Sequence, residues 1–196
     1  MTPSYRLFAA GMLVTLLLSS TFAAGAGGGW QVRGQTAMIY LALKFLHVVA
    51  AIIFVGNITT SAFWAARAHK SRDFRLVAST FDGIIRADRV FTMPAVLGLL
   101  VSGIAAALIG GLSIFGTGWI LWGIALFIIT GMIFGRLVAP VQHEIASLAQ
   151  SADANEADWG TYEHLYNRWR LWGYVALAVP VAAVAIMVFK PVLPAF

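Results

Sequence analysis

The chain has 196 residues, of which 60% are hydrophobic and 11% charged, and its net charge is +5. A soluble domain has about 45–50% apolar residues, so this composition, with a mean hydropathy of +0.84, indicates a polytopic membrane protein. The absence of cysteine excludes disulfides, thiolate metal sites and thiol catalysis. The basic charge does not indicate a nucleic-acid partner, because the Lys and Arg residues flank apolar segments.

The N-terminal segment, residues 1–36, has the layout of a secretory leader. Arg6 precedes an apolar core at residues 7–18, and small residues follow it. The apolar length of residues 7–26 also suffices for a thin additional span. We expect either a cleaved signal peptide or an extra transmembrane helix, followed by a Gly-rich linker on the outer side.

The remainder of the chain, residues 37–196, contains the main membrane domain. Apolar blocks long enough, or nearly so, to cross a hydrocarbon core of about 30 Å occur at residues 37–66, 90–111, 119–141 and 171–193. Lipid offers the backbone no hydrogen-bond partner, and the alternation of a β-barrel is absent. The prediction is an all-α, polytopic four-helix bundle.

The distribution of Lys and Arg predicts the orientation of the bundle. The segment at residues 67–89 carries six basic residues, whereas the loop at residues 112–118 carries no charge. The positive-inside rule therefore places residues 67–89 and 142–170 in the cytoplasm and the C-terminus outside. We expect a protein of the bacterial cytoplasmic membrane.

Both cytoplasmic segments are predicted to be helical and to form two short projecting hairpins. Apolar residues of the segment 73–89 share one helical face, which we expect to lie on the membrane or against a neighbouring helix. In the second segment, aromatic residues recur at spacings of three and four and predict an aromatic edge at the level of the lipid headgroups. These residues are Trp159, Tyr162, Tyr166 and Trp169.

Small residues indicate where helices approach one another. Gly131 and Gly135 form a GxxxG pair, and Gly103, Ala107 and Gly111 are spaced by four. The preferred interpretation is packing within the chain. The alternative is a homo-oligomer, or a membrane partner, docked on Gly131 and Gly135.

The segment KFLHVVAAIIFVGNITTSAFW, residues 44–64, carries three polar groups in an apolar run. Lys44 is near the outer end of its helix, so its ammonium can reach the interface by snorkelling, although a role in a cofactor site is the alternative. Asn57 can hydrogen-bond a neighbouring helix. His47 falls near the bilayer centre, where an imidazole needs a partner in the bundle or serves as a ligand.

The function that His47 favours is metal ligation, specifically axial ligation of a haem b between helices. A second histidine ligand is missing, because His69, His143 and His164 are all in the cytoplasmic segments. The iron would be five-coordinate or would take a methionine. The candidates in the spans are Met93, Met132 and Met187.

A second polar group is expected at the cytoplasmic end of the spans. Asp88 lies on the apolar side of its helix and Arg136 lies about one turn inside the next block. An ion pair between them would relieve two costly charges. We predict an interhelical clamp, with a site for a propionate or another anionic group as the alternative.

The stretches YLALKFLHVVAAIIFVGNITTSAFW and RADRVFTMPAVLGLLVSG resemble a bacterial family of predicted integral membrane proteins, a domain of unknown function, from about Met38 onward. That family is distantly similar to the copper-resistance D membrane domain and to the oxygen-independent protoporphyrinogen oxidase of haem synthesis, which also place a His early in a first span. The resemblance implies a four-helix unit with haem binding at His47.

Three functions remain open at this point. The first is a small haem b protein that exchanges electrons with a quinone or a porphyrin-like substrate, with His47, Lys44, Asn57, Asp88 and Arg136 as candidate cofactor contacts. The second is a transport component in which His47 and Asn57 line a polar path. The third is a structural subunit of a membrane complex. The sequence assigns no catalytic residue, because HEIAS at residue 143 lacks the second His of a zinc-protease motif.

Overall fold

Residues 28–151 and 156–196 are described by the computed structural model, and the expected signal peptide or extra span at residues 7–26 lies outside them. The chain divides into two units, Met1–Ala37 and Met38–Phe196. Helices account for nearly all of the described chain. They are α1 (Gly28–Ser71), α2 (Phe74–Ala87), α3 (Met93–Ile109), α4 (Gly118–Ile133), α5 (Ala139–Ser151) and α6 (Glu156–Phe189).

Within the described residues, four uninterrupted helical rods are long and apolar enough to cross a membrane. They are 32–38 residues long, so at 1.5 Å per residue they reach about 48–57 Å and exceed a hydrocarbon core of about 30 Å. The all-α four-helix membrane bundle is therefore confirmed. The rods are Gly34–Ser71, Phe74–Ile109, Gly118–Ser151 and Asp158–Phe189.

Two π-helical turns make the middle rods continuous. The turn Asp88–Thr92 joins α2 to α3, and the turn Phe134–Val138 joins α4 to α5. Each is followed by one residue and then by Pro94 or Pro140. A proline ring in a regular helix clashes with the carbonyl four residues earlier, and a wider turn relieves this crowding. The predicted cytoplasmic helix is thus an extension of its span and not a separate element.

The largest buried core lies at the end of the bundle that carries the turn at residues 72–73 and the start of α6, which we call the basic end. There the apolar face of α2 (Phe74, Val77, Phe81, Ile84) packs in one cluster with residues of α5 and α6. The predicted amphipathic helix is confirmed, and it packs on protein. In the aromatic edge of α6, Tyr162, Tyr166 and Trp169 are buried in the same cluster and Trp159 is partly buried, so these side chains pack on protein and not on lipid headgroups.

The aromatic side chains of this core stack on a histidine of α1. The ring of His69 lies parallel to that of Tyr166 at a centroid distance of 4.1 Å. Tyr162 is 0% exposed. Among the described residues, neither the Tyr162 hydroxyl nor His69 Nδ1 has a hydrogen-bond partner, although both atoms are buried. An unsatisfied buried polar atom costs about 1–3 kcal/mol.

The opposite half of the bundle buries fewer side chains. Its apolar cluster consists of Ala50, Phe54, Ala95 and Leu99 with partly buried neighbours. At the far end, Phe196 N–H donates to the carbonyl oxygen of Phe115 at 3.0 Å, and Trp122 Nε1–H donates to that of Pro194 at 3.2 Å. The C-terminal segment is thereby fastened to the turn before α4.

The GxxxG pair does not mediate packing among the residues that the structure describes. A Cβ atom added at Gly131 or Gly135 would meet nothing within 4 Å, and both residues are exposed. For the described residues, the predicted packing of Gly131 and Gly135 within the chain is therefore wrong, because these glycines face outward from α4 and the adjoining π turn. Docking of a partner or a second copy on this face stays a prediction.

We predict that Tyr162→Phe stabilises the protein. The substitution keeps the aromatic packing and removes a buried hydroxyl that lacks a partner, so the free energy of unfolding should rise by about 1 kcal/mol. Thermal unfolding in detergent, compared with the wild type, measures the change. A loss of stability would show that the hydroxyl has a partner in the folded protein.

Candidate functional site

A polar network at the inner edge of the basic end connects all four rods. The Asp88 side chain accepts hydrogen bonds from Asn57 Nδ2 at 3.0 Å and Thr92 Oγ1 at 2.9 Å on one oxygen, and from Gln142 Nε2 at 2.9 Å on the other. Trp169 Nε1 donates to Gln142 Oε1 at 3.1 Å. We call Asn57, Asp88, Thr92, Gln142 and Trp169 the Asp88 network.

The network fixes the orientation of each amide. Because an indole N–H can only donate, Gln142 must turn its Oε1 towards Trp169 and its Nε2 towards Asp88. Asn57 Nδ2 also donates to Thr92 Oγ1 at 2.8 Å, which uses its second hydrogen. Both side-chain oxygens at position 88 must therefore accept hydrogen bonds, as the two oxygens of an ionised carboxylate do.

Asp88 is one of the residues that line a cavity of about 40 Å³ between the rods. Ser61 and Ala62 of α1 contribute to one wall, and Phe134 and Val138 of the second π turn contribute to another. Both π turns thus border the same cavity. Turns of this kind are frequent at functional sites. The lining on α6 includes Arg170 and Tyr174, which are exposed.

His47 forms a separate contact between α1 and α3. Its Nδ1 lies 2.9 Å from the carbonyl oxygen of Leu99. A carbonyl oxygen only accepts, so Nδ1 carries the hydrogen and Nε2 keeps its lone pair. Among the described residues, Nε2 forms no hydrogen bond. The side chain of His47 is half-buried.

Gly103 makes this contact sterically feasible. A Cβ atom at position 103 would lie 2.8 Å from His47 Cε1 and 2.9 Å from Nδ1. Only glycine leaves room for the ring flat against α3. The close approach that the sequence predicted at Gly103 is confirmed, and it admits a side chain of α1.

An apolar layer separates His47 from the Asp88 network. His47 and Asn57 are ten residues apart in α1, about 15 Å along the helix axis. Between them Ala50 and Phe54 are buried, and the Phe54 ring contacts that of Phe127 at a centroid distance of 5.9 Å. The two polar sites are therefore distinct.

The structure separates the candidate cofactor residues into three places. Lys44 lies one turn before His47, is exposed, and has its ammonium 5.9 Å from the centroid of the Tyr40 ring. Asn57 and Asp88 belong to the network, so the predicted interhelical hydrogen bond of Asn57 is confirmed. Arg136 is exposed and, within the described part of the chain, forms no ion pair.

The predicted ion pair between Asp88 and Arg136 is therefore wrong. Gln142, six residues after Arg136, occupies the position facing Asp88. Six residues correspond to about 600° of helical rotation, which places Arg136 about 120° away on another face. Neutral donors thus replace the expected cation.

Gln142, Trp169 and Thr92 are the functional candidates that sequence reasoning missed. Residue 142 was assigned to a cytoplasmic segment and Trp169 to the headgroup level. The continuous helical pattern from Arg136 to Ala149 was the signal that could have placed Gln142 inside the bundle. Within the described residues, no group of three or more His, Asp or Glu side chains is arranged to hold a metal ion.

We predict that Gly103→Ala displaces the His47 ring, because a methyl group would overlap the imidazole. The hydrogen bond to Leu99 should be lost, and the free energy of unfolding should fall by about 1–3 kcal/mol. Gly131→Ala is the matched control, since nothing lies within 4 Å of its Cβ position. Equal thermal stability of the two variants in detergent would contradict the contact.

Comparison with protein families agrees with the architecture. Residues 41–191 match the model of the family described as Predicted integral membrane protein (DUF2269), and this range includes His47, Gly103 and the whole Asp88 network. Searches of curated proteins and of solved structures gave no match. With four apolar rods and a family match over most of its length, the chain belongs to this family of integral membrane proteins.

Proposed function

We propose that the protein is a haem b-binding membrane protein in which His47 Nε2 is the axial ligand. One observation carries this proposal. His47 is tied through Nδ1 to a backbone carbonyl, and Nε2 has no hydrogen bond within the described residues. Metal-ligating histidines commonly donate their other ring N–H to a carbonyl or carboxylate, which fixes the tautomer and the ring plane.

The surroundings of His47 suit one axial ligand from this chain. Met93 and Met132 are 46% and 47% exposed, and Met187 packs against Gly123 of α4. We therefore assign the ligand role to His47, which would be the residue of this chain that holds the iron. A haem bound there supplies reversible one-electron chemistry.

Lys44 and His47 are three residues apart and so share one face of α1. The exposed Lys44 ammonium is suited to pair with an anionic propionate towards the outer surface. Asn57 and Asp88 lie beyond the apolar layer, so they act separately from this ligand. The basic end faces the cytoplasm of a bacterium, and quinone or a porphyrin-like molecule is the proposed electron partner.

A polar transport path through His47 and Asn57 receives less support. The buried side chains of Ala50 and Phe54 lie between these residues. A solute would have to cross this apolar layer. Ligation at His47 needs no such opening.

We predict that the protein purified from haem-replete cells shows a Soret band and that dithionite shifts its spectrum to that of the ferrous form. His47→Ala should lose at least about nine-tenths of the bound haem, because the chain then offers no imidazole in this half of the bundle. His143→Ala is the control, since His143 is exposed in the basic end. Absorbance per mole of protein is the measurement.

A wild-type protein without Soret absorbance would contradict the proposal. So would a His47→Ala variant with the spectrum and haem content of the wild type. Thermal unfolding of each variant in detergent separates loss of the ligand from loss of the fold.

A further inference from the structure

We propose that Asp88 is a proton-exchange site, at which a proton from the basic side of the membrane binds Asp88 Oδ2 through the adjoining cavity. The proposal is independent of haem binding at His47. It rests on the free position of one oxygen, on the cavity beside it and on the neutral character of its partners.

The hydrogen-bond geometry leaves one position for a proton. Oδ1 accepts from Asn57 and Thr92, which occupy both of its lone pairs. Among the described residues, Oδ2 accepts from Gln142 alone and keeps one lone pair. A proton added to Oδ2 forms one O–H bond, and the three hydrogen bonds from Asn57, Thr92 and Gln142 persist.

The cavity that Asp88 lines gives this residue a route to water. Its volume of about 40 Å³ has room for about three water molecules, each of which needs at least about 10–15 Å³. Asp88 itself is only 8% exposed. The Arg170 and Tyr174 side chains are both cavity-lining and exposed, so the cavity lies next to the surface at α6.

The neutral partners of Asp88 favour the binding of a proton. Its direct partners on α1, on the π turn Asp88–Thr92 and on α5 are all neutral, and within the described residues Asp88 forms no ion pair. The ionisable groups that line the cavity are Tyr166, Arg170 and Tyr174 on α6. The Arg170 guanidinium is stacked over the Tyr166 ring at 5.7 Å and is exposed. A buried carboxylate without a cation is costly in a membrane bundle, and uptake of one proton removes the charge.

The test uses dicyclohexylcarbodiimide, an apolar reagent that converts a protonated carboxyl group into a stable acylurea. The full-length protein in detergent is treated between about pH 6 and pH 9, and labelling of each carboxylate is measured by peptide mass spectrometry. We expect labelling of Asp88 to fall by about tenfold per pH unit above its midpoint. Asp82, an exposed carboxylate paired with Arg86, is the internal control and should stay unlabelled.

Three variants keep the test decisive. Ala62→Phe leaves the Asp88 network intact and fills the cavity, so labelling at a fixed pH should fall several-fold while thermal stability stays near that of the wild type. His47→Ala should leave labelling unchanged, which separates this site from the haem proposal. Asp88→Asn confirms the assignment of the labelled peptide.

Three outcomes would overturn the proposal. The first is labelling of Asp88 that does not change between about pH 6 and pH 9. The second is full labelling of a folded Ala62→Phe variant. The third is protection by sodium but not by choline at constant pH, which would show that the carboxylate takes a metal cation.

Discussion

The carboxylate of Asp88 is the interaction on which the arrangement of the rods depends. Lipid provides no hydrophobic force between helices, so packing and polar contacts determine their register. Asp88 takes three neutral donors, and Gln142 extends the contact to Trp169 of α6. Asp88 thereby links the four rods at the level where the membrane domain meets the packed basic end.

The second polar contact between α1 and the rod Phe74–Ile109 depends on this register. With Asn57 held by Asp88 and Thr92, the imidazole of His47 meets the carbonyl of Leu99 and the gap at Gly103. Two polar contacts, separated by a layer of apolar side chains, therefore hold α1 against its neighbour. The half of the bundle around His47 buries few other side chains. The His47 contact therefore contributes a larger share of the interactions that fix α1 against α3 there.

The sequence was sufficient to predict the four-helix architecture. Apolar block lengths predicted the four rods, and the helical periodicity of residues 73–89 predicted the face that α2 buries. Lys44, His47 and Asn57 could be singled out because lipid penalises each of them. These inferences rely on local composition and spacing, which a single chain displays directly.

The pairing of the polar residues could not be predicted in the same way. Opposite charges suggested Asp88 with Arg136, yet a π turn lies between Gly131 and Gln142 and changes which face meets Asp88. Gln142 and Trp169 lie on rods that meet Asp88 only after both hairpins have folded. The outward direction of Gly131 and Gly135 likewise depends on how α4 is rotated in the bundle.

The central claim is that His47 is held by Nδ1 with Nε2 left open to a ligand. Nitrogen-15 NMR of the haem-free protein, with labelled histidine and His47→Ala to assign the signal, tests it directly. The account predicts a neutral ring with the hydrogen on Nδ1 and an unprotonated Nε2. A ring that carries its hydrogen on Nε2 would contradict it, because the bond to Leu99 and the open ligand position would both be absent.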